Sequence, residues 1–116
     1  MHIIDKLLNS AYQDSELLKQ RNEIGDVFNA FRDVDFCIDA PDQEKADIVC
    51  SFINDNRYGE ARVEEADDNY RVITVTNTPV SQPIISALSA NMVSIADIFG
   101  CEFNGWGAVI VSENDL

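Results

Sequence analysis

Apolar positions change their spacing several times along the chain, and each change predicts an element. From residue 2 to about 24, Ile3, Ile4, Leu7, Leu8 and Ala11 form one stripe at helical spacing. Leu17, Leu18 and Ile24 continue it beyond the polar run Gln13-Asp14-Ser15. The pattern fits one helix or two, with Asp14 or Ser15 capping the second, and Gly25-Asp26 ends it. Over residues 33–39 the spacing drops to two. Val34, Phe36 and Ile38 point one way, and Asp33, Asp35, Cys37 and Asp39 the other, which predicts a strand with one buried face and a carboxylate-rich opposite face.

Helical spacing returns after Pro41-Asp42-Gln43-Glu44, a helix start with proline in its first turn and acids at the positive end of the dipole. Ala46, Val49, Cys50 and Ile53 form its buried stripe, with Phe52 at the margin and Asn54-Asp55-Asn56 as the stop. Residues 60–65 and 70–76 predict two strands joined by Asp67-Asp68-Asn69. In the first, Ala61 and Val63 are expected to face the core opposite Arg62 and Glu64. In the second, Ile73 and Val75 are expected to face it opposite Tyr70, Val72 and Thr74. Ser81 then caps a helix with Pro83 in its first turn, a stripe of Ile84, Leu88, Met92, Ile95 and Phe99, and Gly100 at its stop. The last strand is predicted over 102–111, with Phe103, Val109 and Val111 lining the core.

The order is helix, then β-α-β-β-α-β. This predicts an α+β protein with a ferredoxin-like βαββαβ antiparallel sheet, both crossover helices on one face, and an extra N-terminal helix. A single domain spans residues 1–116, with residues 1–25 as the helical extension and 33–111 as the core. The second sheet face is expected to be open or covered by the N-terminal helix.

Charge narrows the range of partners. Eight basic against 21 acidic residues give a net charge of −13. Such a body repels phosphate backbones and anionic lipid, so neither direct nucleic-acid binding nor membrane association is expected, and a basic partner is the natural complement. No segment is apolar enough to span a membrane, and the N-terminus lacks the apolar run of a signal peptide. Cys37, Cys50 and Cys101 have no C-x-x-C spacing and fit free thiols in a reducing, cytoplasmic setting. With His2 as the only histidine, neither a metal site nor a Ser-His-Asp set is legible. No phosphate loop or G-x-G-x-x-G occurs, and no cofactor is expected. The acid pairs lie on turns or on a solvent-facing strand pattern and read as solvated charge rather than as a catalytic dyad. The aromatics and basic residues that an RNA-binding ferredoxin-like sheet places on its open face are here replaced by aspartates.

Glu102-Phe103-Asn104-Gly105-Trp106-Gly107 holds the only tryptophan, between two glycines. Glycines in a strand mark a bulge, close backbone approach, or a large side chain that needs room. Trp106 has two readings: a core filler, or a binding anchor sharing a strand face with Glu102 and Asn104. The candidate partner-binding set is therefore Asp33, Asp35, Asp39, Glu64, Asn104 and Trp106.

From about Leu17 to Val111 the chain resembles the family of ribonuclease E activity regulator B. The resemblance rests on Val34-Asp35-Phe36 leading into Pro41-Asp42, on Val63-Glu64-Glu65 with Val72-Ile73-Thr74-Val75, on Ala96-Asp97-Ile98-Phe99-Gly100, and on Glu102-Phe103-Asn104-Gly105-Trp106-Gly107. It implies a ferredoxin-like fold and a non-enzymatic protein that binds the arginine-rich scaffold of ribonuclease E and damps RNA decay. Some members carry an acidic tail after the last strand, whereas this chain ends at Leu116. The residues themselves leave two alternatives: an acidic immunity or decoy inhibitor of another basic protein, and a small regulatory domain that binds a metabolite.

Overall fold

The computed structural model describes residues 2–116. In chain order they form α1 (Ile3–Glu23), β1 (Arg32–Ala40), α2 (Gln43–Asp55), β2 (Glu60–Ala66), β3 (Asn69–Thr78), α3 (Gln82–Ile98) and β4 (Glu102–Gly107), then a 3₁₀ turn over Glu113–Asp115. The sheet order is β2-β3-β1-β4, and every neighbouring pair is antiparallel. This is the ferredoxin-like arrangement with an added N-terminal helix. The two βαβ halves interleave, so β1 and β3 lie in the centre and β2 and β4 at the edges.

Local chemistry sets the boundaries. Asp42 is the N-cap of α2, its carboxylate accepting from the Lys45 N–H at 2.8 Å, so Pro41 precedes the cap instead of lying in the first turn. Ser81 caps α3 through its backbone geometry alone, with no side-chain hydrogen bond. Gly25, with φ near +83°, releases the chain from α1.

The core lies between the sheet and the helices. Val34, Phe36, Ile38 and Ala40 of β1 are buried, as expected from their alternation, against Ala46, Val49 and Ile53 of α2. On β3 the phase is the reverse of the sequence expectation. Val72 and Thr74 face the core, and Ile73 and Val75 face the other side. Apolar residues sit on both faces of this strand, so its alternation cannot fix the phase. The hairpin fixes it by pairing Ala61 with Thr74 and Val63 with Val72.

α2 buries its expected stripe, Ala46, Val49 and Ile53, whereas α3 and α1 are rotated from theirs. On α3 the buried side chains are Ile85, Ser89, Met92, Val93, Ile95 and Ala96, and Ile84 is 39% exposed. The helix is covered on two sides, by the sheet and by α1, so a single stripe underestimates what it buries. α1 is one continuous helix packed on α3, which leaves the far face of the sheet open. Its buried residues are Ser10, Asp14, Leu18 and Arg21, while Ile4 and Leu8 are 58% and 66% exposed. Three of those four are polar. Partners found elsewhere in the fold, not hydrophobicity, decide the face of α1.

The last strand also departs from expectation. Ile38 pairs with Phe103 and Phe36 with Trp106, so Asn104 and Gly105 together oppose Cys37. This is a β-bulge, and Gly105 adopts φ +86° within it. The extra residue puts Phe103 and Trp106 on the same side of the sheet, the helix side. β4 ends at Gly107, and Val109, expected in the core, is 69% exposed.

Candidate acidic sheet face and the Trp106 clamp

The alternation of β1 directs Asp33, Asp35, Cys37 and Asp39 to the open face, and the register aligns neighbours beside them in rows. One row runs Glu102, Asp39, Arg71, Glu64 from β4 to β2. The next holds Cys37, Ile73 and Arg62 opposite the bulge, and a third holds Gly107, Asp35, Val75 and Glu60. Asp33 and Asn77 close the face, joined by a 3.0 Å hydrogen bond. Half-buried Cys37, Ile73 and Val75 thus form an apolar saddle bordered by acidic rows.

Both cations on this face are already engaged. Arg62 lies 2.8 Å from Glu64, and Arg71 lies 3.3 Å from Asp39. Such exposed pairs contribute little to stability, but they leave Asp33, Asp35, Glu60 and Glu102 without an ion-pair partner among the described residues. Four of the sequence candidates, Asp33, Asp35, Asp39 and Glu64, therefore share one surface. Asn104 is exposed in the bulge at its edge. Glu60, Glu102, Arg62 and Arg71 belong to the same face and were not among the candidates.

Trp106 does not join them. Its indole is half-buried on the helix side, and its N–H donates to Asp14 Oδ1 at 3.0 Å. The Arg21 guanidinium stacks over the ring, 4.9 Å from its centroid. Asp14 and Arg21 are seven residues apart, two turns of one helical face, so they bracket the indole and clamp α1 to the sheet edge. The reading that put Trp106 beside Glu102 and Asn104 is corrected by the bulge, which shifts the alternation by one residue.

The clamp continues into an ionic cluster. Asp26 accepts from Arg21 at 2.9 Å and from Arg32, while Arg21 also donates to the Ala108 carbonyl and Arg32 to the carbonyls of Val27 and Val109. The Val111 N–H donates to Asp26 at 3.1 Å. Burial would raise the Asp26 pKa, but the two guanidiniums and this N–H outweigh it and hold the carboxyl below its ordinary range. Asp14 shows the opposite balance. Burial raises its pKa, and hydrogen bonding from Trp106 and the nearby Ser89 offsets this only in part. Its Oδ2 and the Ser89 hydroxyl each lack a hydrogen bond of good geometry.

The thiols are free. Burial, then the neighbouring Asp39 carboxylate, pushes Cys37 up to about 11, and burial likewise raises Cys50 and Cys101. Among the described residues, no group of three or more His, Cys, Asp or Glu side chains could hold a metal ion, and no helix is long and apolar enough to cross a membrane.

A comparison with curated proteins finds no match. The family model described as "Regulator of ribonuclease activity B" matches residues 11–108, most of the chain, from the middle of α1 through β4. The chain belongs to the RraB family, regulators of ribonuclease activity.

Proposed function

We propose that this protein regulates a ribonuclease of the ribonuclease E type without catalysis of its own, by laying the open sheet face over a basic segment of the enzyme. The observation that carries the reading is the composition of that face: Asp33, Asp35, Asp39, Glu60, Glu64 and Glu102 around an apolar saddle, with Arg62 and Arg71, its two cations among the described residues, already paired. An arginine-rich protein segment complements it, and an RNA backbone does not. The saddle of Cys37, Ile73 and Val75 offers desolvated contact, while the acids steer approach and fix register. The protein acts in the cytoplasm, where its thiols stay reduced.

The test is association kinetics with the ribonuclease across a salt series. Wild-type association should slow by roughly tenfold or more as added salt shortens the screening length from about 10 Å to about 3 Å. The double variant Asp33→Lys, Asp35→Lys should associate slowly even at low salt, with a melting temperature near that of the wild type because exposed charges contribute little to folding. A rate independent of salt, or unchanged in the double variant, overturns the reading.

A further inference from the structure

At the β4 edge of the acidic face, α1, α3 and β4 enclose a cleft of about 270 Å³. Its apolar floor is made by Val93, Ala96 and Phe103, and its α1 wall by the polar side chains of Asn9, Ser10 and Gln13. Three charges mark the rim: Lys6, Asp97 and Glu102. Lys6 already sits on Asp97 at 2.7 Å, so this rim holds a cation in the free protein. Glu102 has no cation within ion-pair distance among the described residues. Lys6 feels both carboxylates, and the rim keeps one net negative charge above an apolar floor, which calls for a ligand with a single positive charge and a body that tolerates desolvation.

We propose that this cleft receives an arginine side chain of the basic partner, its guanidinium on Glu102 and its aliphatic stem over Phe103 and Ala96. A guanidinium is planar and weakly hydrated, so it can lie on apolar surface while its edge donates to a carboxylate and to amide or hydroxyl oxygens. Asn9, Ser10 and Gln13 offer such oxygens on the opposite wall. A lysine ammonium, compact and strongly hydrated, uses this geometry poorly. The source is the partner's chain because Glu102 stands in one cross-strand row with Asp39, Arg71 and Glu64. A segment crossing the open face along that row meets the cleft where it leaves the sheet. This inference rests on the proposed docking face and adds a residue-type preference that a plain acidic surface lacks.

The test compares two peptides of equal length and charge, one carrying arginines and the other lysines at the same positions, by titration calorimetry. The wild-type chain should prefer the arginine peptide by about tenfold, the worth of one well-placed charge-assisted pair. Glu102→Gln removes the carboxylate, and Asn9→Trp fills the mouth from an exposed helical position. Each should bring the preference to within about twofold, with an unchanged circular dichroism melt. Asp33→Lys with Asp35→Lys should weaken both peptides alike and leave the preference intact. A wild-type preference below about twofold, or one that survives both cleft variants, overturns the inference while the docking face stands. Arginine amide binding in the micromolar range would assign the cleft to a free small guanidine and overturn it too. Failure of the wild-type chain to bind either peptide overturns both the cleft and the face.

Discussion

Replacing Trp106 measures what the clamp contributes. Trp106→Phe keeps a ring on the floor of α1 but removes the N–H that Asp14 accepts at 3.0 Å. Asp14 is only 4% exposed and its other oxygen has no well-aligned partner, so loss of the donor leaves a buried carboxylate with only the poorly aligned Ser89 hydroxyl beside it. Removing one partner of such a pair costs about 1–2 kcal/mol. Trp106→Ala also loses packing. A fully buried tryptophan is worth about 3–5 kcal/mol, so the half-buried one here contributes about 2 kcal/mol. The Arg21 stack adds about 1 kcal/mol, giving roughly 4–5 kcal/mol in total. Urea unfolding followed by circular dichroism measures both variants, since neither retains a tryptophan to report fluorescence. The coupling is the sharper quantity: with Asp14→Ala already in place, Trp106→Phe should cost under about 0.5 kcal/mol. Equal costs in both backgrounds, or a Trp106→Ala cost below about 1 kcal/mol, would refute the clamp.

The bulge makes a paired prediction. Gly105→Ala should cost about 1–2 kcal/mol through backbone strain at φ +86°, whereas Gly107→Ala, with open space at its Cβ and no positive φ, should stay within about 0.5 kcal/mol in the same melts. The two buried aspartates give pH effects of opposite sign. The depressed Asp26 contributes stability that is present above its unfolded value of 3.8 and is lost as pH falls through its lower folded value. The raised Asp14 contributes stability that is complete below 3.8 and is lost as pH rises through its higher folded value. Asp14→Asn should therefore remove the slope between 3.8 and that higher value and raise neutral-pH stability, while Asp26→Asn should cost about 3–5 kcal/mol by stranding two buried guanidiniums. A neutral-pH loss with Asp14→Asn would contradict the first assignment. Alkylation of the native thiols at neutral pH should be slow, since Cys37 titrates near 11; rapid labelling of Cys37 would contradict its placement.

The reach of the sequence differs from element to element. β1 was legible because only one of its faces is apolar, and the acidic face followed from it directly. β3 was not, because Val72, Ile73 and Val75 are apolar on both faces and only pairing with β2 selects the buried one. On α1 the residues at 3, 7, 10, 14, 18 and 21 carry the spacing of a packed helix face, but three of them are polar. Their burial depends on Trp106, Asp26 and the Ala108 carbonyl, which lie at distant positions in the chain. The Gly105 bulge had a signal in the paired glycines, and its consequence for Trp106 did not, because one inserted residue reverses every later side chain on the strand. Glu60 and Glu102 joined the candidate face only through register, which no single strand reveals.

Carboxylate footprinting of the complex tests the docking claim most directly. The protein would be labelled with a carbodiimide and an amine, alone and bound to the ribonuclease, and read by peptide mass spectrometry. The open-face acids Asp33, Asp35 and Glu60 should lose most of their labelling in the complex, while the exposed helix-side acids Glu23, Asp47 and Asp55 should label as in the free protein. Protection of the helix-side acids with the open face still labelled would contradict the account.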